Sequence, residues 1–204
     1  MRKVLLSLAA LAFASPAFAG EHYNKAVKPG DKAPAFSGIP AYSPSGEQTS
    51  LTLSDLKEDV VVLVFLANHC PAVVACEDRL NEFTSEYKDK GVRVVGVCVN
   101  DIDEDKLPAI KKRISDKNDG KINYVYGYDE SQAVGKAYGA SNTPYFFVLD
   151  KDRTIQYLGA FDDNADEAKA TKHYVKDAVD ALLAGKTPEV TETRAKGCGV
   201  KYNN

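Results

Sequence analysis

The chain has 204 residues, of which 44% are hydrophobic and 27% are charged, and this is enough for one globular domain with a substantial core. The formal net charge of −3 at pH 7 gives no indication of binding to nucleic acid or to an anionic membrane surface. Function must therefore be sought in particular residues and their spacing.

The first 19 residues have the pattern of a secretory signal peptide. Arg2-Lys3 is a basic start, Val4–Ala14 is an apolar run, and Ala17-Phe18-Ala19 is a small-residue cleavage site. The apolar run is too short for a stable membrane anchor, and no cysteine follows the cleavage site, so a lipoprotein is not expected. We expect an exported protein, periplasmic or secreted, without membrane contact after cleavage, in a compartment where disulfides persist.

The rest of the chain is predicted to form one domain, residues 20–185, followed by a polar tail, residues 186–204. Gly20–Lys32 is polar and is expected to be flexible. Ser37–Ser50 mixes glycine, proline and serine, which indicates a loop with a hairpin. Ser54-Asp55-Leu56 is expected to open one helical turn.

A reactive cysteine is expected where the first buried strand meets the first helix. Asp59–Leu66 is a nearly continuous apolar run, typical of a strand buried on both faces, and Pro71–Asp89 has the helical period. Proline is favoured at the first helical position, which makes Cys70 the N-cap. Its sulfur can then face unpaired N–H groups and the positive end of the helix dipole, which both favour thiolate. The alternative is a small hydrophobic residue at a strand end.

The later elements alternate between strands and helices. A second buried strand over Val92–Val99 completes a βαβ unit. The elements that follow are a helix over Lys106–Lys117, an extended segment Tyr124–Tyr128, a short helix Ser131–Tyr138 capped by Ser131, strands Tyr145–Leu149 and Thr154–Leu158, and a final helix Asp166–Ala184.

The order of elements resembles the thioredoxin fold, and several motifs resemble its redoxin branch, the AhpC/TSA superfamily. A closer resemblance, over residues 28–201, is to the peroxiredoxin-like group of thioredoxin-family proteins. It implies an α/β fold with a central mixed β-sheet flanked by helices, an N-terminal extension and an insertion. The motifs that carry it are Asn68-His69-Cys70-Pro71, Glu77-Asp78-Arg79, Tyr138-Gly139-Ala140 before Thr143-Pro144, Gly159-Ala160-Phe161-Asp162-Asp163-Asn164 and Thr193-Arg194-Ala195-Lys196-Gly197-Cys198.

The resemblance also implies roles for residues around Cys70. Thr143-Pro144 would be the cis-proline loop that faces the active cysteine and holds a substrate backbone beside the sulfur. Asn68, His69 and Pro71 would support the same site.

The chain departs from these families near Cys70. Thioredoxins carry a second cysteine where this chain has Val73, and a buried carboxylate where it has Val64. Peroxiredoxins carry a threonine three residues before a peroxidatic cysteine that would align with Val73, and the residue three before Cys70 is Ala67. Neither exchange between two cysteines of one helical turn nor an efficient peroxidase of the standard type is therefore expected.

Cys198 is the candidate partner of Cys70. A disulfide needs Cα atoms within about 7 Å, and Cys76, on the same helix, is displaced from Cys70 by a rise of about 9 Å. Cys198 follows Gly185 on a tail that can extend to about 43 Å, whereas the domain has a radius of gyration of about 16 Å. We expect a mobile tail that brings Cys198 to Cys70 as the resolving cysteine. The alternatives are a free tail thiol and a fixed structural disulfide.

Cys76 and Cys98 are expected to lie in the core, because Cys76 continues an apolar helical stripe and Cys98 lies inside a buried strand. Buried free thiols are the main expectation for both. A structural Cys76–Cys98 disulfide is the alternative in an oxidising compartment.

His69 and Asn68 each allow more than one role. His69 could lower the pKa of Cys70 or relay a proton, or its imidazole could point to solvent. Asn68 could donate to an oxyanion or shape the turn. His69, Cys70 and Asp162-Asp163 could form a copper-like site, but no spaced Cys/His pair requires one, so neither a metal nor a cofactor is expected.

The sequence therefore predicts an exported thiol–disulfide oxidoreductase of the redoxin type. Cys70 would attack a disulfide or oxidised sulfur, and Cys198 would resolve the product. The expected partners are a protein or small-molecule disulfide or peroxide as substrate and an exported thiol reductant. A thiol-dependent peroxidase that uses Cys70 is the first alternative, and a non-catalytic module that binds copper or a partner is the second.

Overall fold

The computed structural model describes residues 22–116 and 122–203. The predicted signal peptide, residues 1–19, lies outside these ranges. Within them, no helix combines the length and the apolar character that crossing a bilayer requires.

A mixed sheet of seven strands forms the centre of the molecule, in the order β2-β1-β5-β4-β3-β7-β8. Strands β3, β4 and β5 are mutually parallel, whereas β7, β8, β1 and β2 are attached antiparallel. A separate pair, β6 and β9, is antiparallel. The strands are β1 Ile39–Tyr42, β2 Gln48–Leu51, β3 Val60–Phe65, β4 Val92–Cys98, β5 Val125–Tyr128, β6 Asn142–Thr143, β7 Tyr145–Leu149, β8 Ile155–Gly159 and β9 Cys198–Gly199.

Helices cover both faces of this sheet, as the predicted α/β architecture requires. The α-helices are α1 Pro71–Tyr87, α2 Leu107–Ser115, α3 Ala133–Tyr138 and α4 Tyr174–Leu183. Short 3₁₀ turns cover Leu53–Asp55, Asp103–Asp105 and Glu167–Lys169.

Strand β3 lies at the centre of two apolar layers, because its side chains alternate between the faces of the sheet. Val62 and Val64 pack with Leu80 of α1 in one layer. Val61 and Leu63 pack in the other layer. All six residues of β3 are buried, and each such side chain contributes about 1.5–3 kcal/mol to stability. The continuous apolar run therefore folds as predicted, and its carboxyl end delivers Cys70 to a fixed position.

The last helix is shorter than predicted, since it begins at Tyr174 instead of Asp166. The Asp163 carboxylate accepts hydrogen bonds from the backbone N–H groups of Thr171 and Lys172, and Asp166 caps the preceding 3₁₀ turn. Such local bonds offer the backbone an alternative to the helix.

The short helix α3 also begins later than predicted, at Ala133. Its N-cap is Gln132 in the left-handed conformation, with φ 60° and ψ 5°. Ser131, the predicted cap, accepts a hydrogen bond from the Ala133 N–H through its hydroxyl.

The two ends of the described chain are docked on the domain, unlike the flexible N-terminal segment and mobile tail expected from their polarity. Buried Asn24 donates to the Tyr138 carbonyl oxygen at 2.8 Å and to the Tyr145 hydroxyl at 3.0 Å. The tail bonds to the edge of β8, where Leu158 pairs with Thr191 and Thr193 through backbone bonds, and then crosses to β6. Polar composition did not reveal this docking, because the N-terminal segment is held by one amide side chain, Asn24, and the tail by its backbone groups.

Candidate thiol site

Cys70 lies at the N-terminus of α1, as predicted. It is the N-cap residue with extended backbone angles, φ −77° and ψ 117°, and Pro71 occupies the first turn. The Val73 and Val74 N–H groups both donate to the Cys70 carbonyl oxygen at 3.0 Å. The Cys70 side chain is fully buried, so its sulfur is held by neighbouring protein groups.

The Thr143-Pro144 loop faces Cys70, and its peptide bond is cis. The Cys70 thiol donates to the Thr143 carbonyl oxygen, with 3.1 Å between sulfur and oxygen. The Thr143 hydroxyl is buried without a hydrogen-bond partner while Cys70 is a neutral thiol. It becomes a donor when the sulfur ionises, which lowers the pKa of Cys70.

The tail places Cys198 directly at this loop. Cys198 pairs with Thr143 in the β6–β9 ladder, and Thr143 is the residue whose carbonyl oxygen accepts from the Cys70 thiol, so the two cysteines are neighbours. The preceding Gly197 has φ 154°, and a Cβ atom at this position would overlap the Thr143 carbonyl oxygen. Glycine is therefore required for the tail to approach the loop this closely.

The pKa values of the two thiols move in opposite directions. Burial raises the pKa of Cys70, but hydrogen bonds to its thiolate from the Cys198 thiol, the Thr143 hydroxyl and backbone N–H groups outweigh burial and leave the pKa below its ordinary value. Burial and the adjacent Cys70 sulfur raise the pKa of Cys198. The surroundings therefore favour ionisation of Cys70 over ionisation of Cys198.

Cys76 and Cys98 are buried free thiols in the structure. The Cys76 thiol donates to the Val73 carbonyl oxygen at 3.4 Å. Burial raises the pKa of each to about 12. Neither has the thiolate character that disulfide exchange requires.

His69 is held by a buried carboxylate. Its Nδ1 lies 2.6 Å from Asp105 Oδ2, and its backbone N–H donates to Asp105 Oδ1 at 3.1 Å. Asn100 Nδ2 donates to the same carboxylate at 2.8 Å. The pairing with Asp105 directs Nδ1 of the imidazole to this carboxylate and fixes the segment before Cys70.

Asn68 shapes the same turn. Its side-chain amide donates to the Glu104 carbonyl oxygen at 2.9 Å, and its backbone carbonyl oxygen accepts from a guanidinium N–H of Arg113 at 3.5 Å. Arg113 in turn makes a buried ion pair with Glu77 at 2.7 Å. The residues around Cys70 are therefore tied to the following loop and to α2.

The residues considered for copper do not converge. His69 is engaged by Asp105, whereas Asp162 forms ion pairs with Arg79 and, at 2.9 Å, with His173. Within residues 22–116 and 122–203, no group of three or more His, Cys, Asp and Glu side chains is arranged to hold a metal ion.

A small cavity of about 80 Å³ lies beside the cis-proline loop. Ala72 and Pro144 line it together with Phe161, and Arg79 and Lys196 supply positive charge. The cavity also reaches Cys76 of α1, whereas Cys70 does not line it.

Three polar residues of this region were not predicted from the sequence, namely Asp105, Asn100 and Gln132. Asp105 belongs to an acidic loop, residues 101–105, in which the neighbouring acidic side chains are exposed. Its complete burial depends on contacts with residues distant in the sequence, so no local pattern distinguishes it. For Asn100, the sequence contains one indication of a role at the site, which is its position directly after a buried parallel strand.

Comparison with known proteins places the chain in a family. Residues 28–174 match the Redoxin family model. A hypothetical protein from Sinorhizobium meliloti 1021 is 31% identical, with a TM-score of 0.75 over 88% of this chain and 97% of its own. A thioredoxin-like protein solved in its oxidised form has a TM-score of 0.59 at 21% identity over 79% of this chain and 99% of its own, and this similarity concerns the fold alone.

Among curated relatives, the thiol-disulfide oxidoreductase ResA from Oceanobacillus iheyensis is 35% identical over 77 residues, which are 38% of this chain and 40% of that protein. The chain spans between 40% and 59% of the lengths of the curated relatives that it matches. The structural neighbours confirm the predicted thioredoxin-like fold. With the family model covering most of the domain, the chain belongs to the Redoxin family.

Proposed function

We propose that this protein is a thiol–disulfide oxidoreductase in which Cys70 is the nucleophile and Cys198 the resolving cysteine. The observation that carries the proposal is the position of Cys198, which pairs with Thr143 beside the Cys70 thiol. The pKa of Cys70 is lowered and that of Cys198 is raised, which agrees with these roles. The thiolate is the attacking species in disulfide exchange. The resolving cysteine must remain a thiol until the mixed disulfide has formed.

The reaction proceeds in two exchanges. The Cys70 thiolate attacks one sulfur of a substrate disulfide, forming a mixed disulfide and releasing the other substrate sulfur, which takes up a proton. Cys198 then loses its proton and attacks the Cys70 sulfur, which forms Cys70–Cys198 and releases the second substrate thiol. The substrate gains two electrons and two protons, and an external thiol reductant restores the protein. The same steps run in reverse oxidise a dithiol.

Trapping of the mixed disulfide tests the assignment. Glutathione disulfide is added to the reduced mature protein, its Cys198→Ser variant and its Cys70→Ser variant. The Cys198→Ser variant should accumulate glutathione on Cys70, whereas the unmodified protein should proceed to Cys70–Cys198. A Cys76→Ala variant, which lacks a buried thiol outside the reacting pair, should behave as the unmodified protein. Modification of Cys198 in place of Cys70 would refute the assigned roles.

A thiol peroxidase is the second candidate function, and the complete burial of Cys70 favours a small oxidant over a bulky one. Peroxide would convert the thiolate to a sulfenic acid with release of water, and Cys198 would condense with it to the disulfide and release a second water molecule. The Cys198→Ser variant separates the candidates, because its Cys70 should exchange with a disulfide faster than hydrogen peroxide oxidises it. The opposite order of rates would make the peroxidase the better assignment.

Export belongs to the same proposal, because a Cys70–Cys198 disulfide persists most readily outside the cytoplasm. The basic and apolar N-terminal pattern supports cleavage before Gly20. N-terminal sequencing of the protein recovered from its native cells should begin at Gly20. A chain that retains Met1 and remains in the cytoplasm would contradict this part of the proposal.

A further inference from the structure

Two buried amide side chains hold the backbone of the tail beyond Cys198. Gln132 Nε2 donates to the Lys201 carbonyl oxygen at 2.8 Å, and Gln132 Oε1 accepts from the Asn203 N–H at 2.7 Å. Asn100 Oδ1 accepts from the Lys201 N–H at 2.7 Å. Gln132 and Asn100 are 2% and 1% exposed. These two residues form what we call the tail clamp.

The tail clamp is anchored to the body of the protein. Gln132 Nε2 also donates to the Val99 carbonyl oxygen at 2.6 Å, next to the end of β4. Gln132 keeps a left-handed backbone, φ 60°, which is unfavourable for a residue with a Cβ atom and persists only where surrounding contacts determine it. These contacts include the bond from the Gln132 N–H to the Asp129 carbonyl oxygen at 3.1 Å and that from the Lys136 N–H to the Gln132 carbonyl oxygen at 3.0 Å.

The other half of the tail clamp reaches the segment of Cys70. Asn100 Nδ2 donates to Asp105, which binds both the imidazole and the backbone N–H of His69. One continuous chain of hydrogen bonds therefore connects the residue before Cys70 with the Lys201 N–H, three residues after Cys198. This chain of hydrogen bonds can keep the Cys70 and Cys198 sulfur atoms next to each other.

The β6–β9 ladder alone is a weak support for Cys198, because each strand has only two residues. An isolated pair of short strands is at best marginally stable. The tail clamp adds bonds to the tail backbone on the far side of Cys198. Holding a tethered group in place raises its effective concentration at its target.

We propose that Gln132 and Asn100 are positioning residues that fix the tail backbone so that the Cys198 thiol lies at the Cys70 sulfur. This assignment rests on the proposed function, in which Cys198 resolves the Cys70 mixed disulfide. The clamp binds main-chain atoms of the tail, so it depends on the backbone N–H of Lys201 and not on the lysine side chain.

A matched pair of variants at exposed Lys201 tests the clamp without altering the core. Lys201→Pro removes the backbone N–H that donates to Asn100 Oδ1, whereas Lys201→Ala keeps this N–H. Both lack the lysine charge, so they differ in the backbone N–H and in the ring that fixes φ at proline. In Lys201→Pro, the effective concentration of the thiol pair in a glutathione buffer should fall about tenfold, as expected for loss of one hydrogen bond. Lys201→Ala should match the unmodified protein within about twofold.

A second pair of variants tests the clamp from the side of Gln132. Gln132→Gly removes the amide and accepts the left-handed backbone freely, whereas Gln132→Asn tolerates that backbone but is too short to reach both tail groups. Both should release the tail, so that iodoacetamide modifies Cys198 in the reduced protein about tenfold faster. The pH profile of Cys70 alkylation should move to higher pH, an effect that general destabilisation would not produce.

The two proposals can fail separately. If the unmodified protein forms no Cys70–Cys198 disulfide at any glutathione ratio, the proposed function is wrong, while Cys198 alkylation in the reduced protein still tests the clamp. If Lys201→Pro and both Gln132 variants leave the Cys198 alkylation rate and the Cys70 pH profile unchanged, the tail clamp is refuted. Equal effects of Lys201→Pro and Lys201→Ala would also refute it.

Discussion

At the scale of single residues, the neighbouring Cys70 and Cys198 thiols have different surroundings. Cys70 is buried, yet the groups around it are donors to its thiolate, including a Thr143 hydroxyl that has no partner while the thiol is neutral. Cys198 is partly exposed, and its neighbour Cys70 opposes its ionisation. Because one of these donors belongs to Cys198, the reactivity of Cys70 should depend on tail docking.

Removal of the Cys198 thiol should therefore weaken Cys70 as a nucleophile. In Cys198→Ala the thiolate loses a donor, its pKa should rise, and alkylation of Cys70 near neutral pH should slow by about tenfold, because hydrogen bonds to charged groups contribute about 1.5–3 kcal/mol. The measurement is the rate of iodoacetamide reaction with Cys70 across a pH series. Cys98→Ala is the control, since that thiol lies in β4. An unchanged profile in Cys198→Ala would contradict the assigned hydrogen bond.

The buried Cys98 thiol should have a measurable effect on stability at alkaline pH. Its pKa is raised to about 12 by burial, whereas an unfolded cysteine ionises near pH 8.5. The native state thus keeps a proton that the unfolded state loses, so the free energy of unfolding falls as pH rises above about 8.5. At pH 10 this contribution amounts to about 1.4–2 kcal/mol.

Urea unfolding at pH 8 and pH 10 under reducing conditions measures this effect. The decrease between the two pH values should be smaller in Cys98→Ala by the amount given above. Val97→Ala removes a neighbouring buried side chain that cannot ionise, and it should keep the full decrease. Equal decreases in both variants would show that Cys98 ionises as readily in the native protein as in the unfolded chain.

At the scale of elements, the tail is an additional strand whose approach depends on glycine. Gly197 is close to the Thr143 carbonyl oxygen, with φ 154°, whereas a Cβ atom at Gly199 would meet no atom within 4 Å. The short β9 therefore tolerates a side chain after Cys198 but not before it. The same asymmetry sets the orientation in which Cys198 reaches Cys70.

Gly197→Ala and Gly199→Ala form a matched pair that tests this asymmetry. Gly197→Ala should displace β9 and lower the effective concentration of the Cys70–Cys198 pair by about 10- to 100-fold, since backbone strain of this kind costs about 1–3 kcal/mol. Gly199→Ala should have little effect. Glutathione redox titration followed by mass spectrometry provides the measurement. Similar values for the two variants would show that the tail does not dock through Gly197.

At the scale of the whole molecule, the sequence predicted the elements that depend on apolar patterning and missed the contacts that depend on isolated polar groups. The strand that became β3 and the helix that became α1 were evident because every turn or pleat repeats the same apolar signal. The docking of the tail was not evident, because Asn100 and Gln132 bind its backbone through single amide groups. The late start of α4 has a similar cause in Asp163.

The candidate site shows the same division. Cys70 could be placed from the strand, the proline and the helix that surround it in sequence, and Thr143-Pro144 from the family resemblance. For Cys198, the sequence shows only that the tail is long enough to reach the site, and tail length does not specify a position. Its alignment with Thr143 follows from a two-residue ladder and from Gly197, which no periodic pattern marks.

Non-reducing peptide mapping of the protein, across a series of glutathione redox ratios, is the decisive test of the Cys70–Cys198 pair. We predict one reducible link, between the peptides that carry Cys70 and Cys198, with Cys76 and Cys98 free and modified only after unfolding. Cys70 that stays free, or that pairs with another cysteine while Cys198 is untouched at every ratio, would contradict the two-cysteine mechanism.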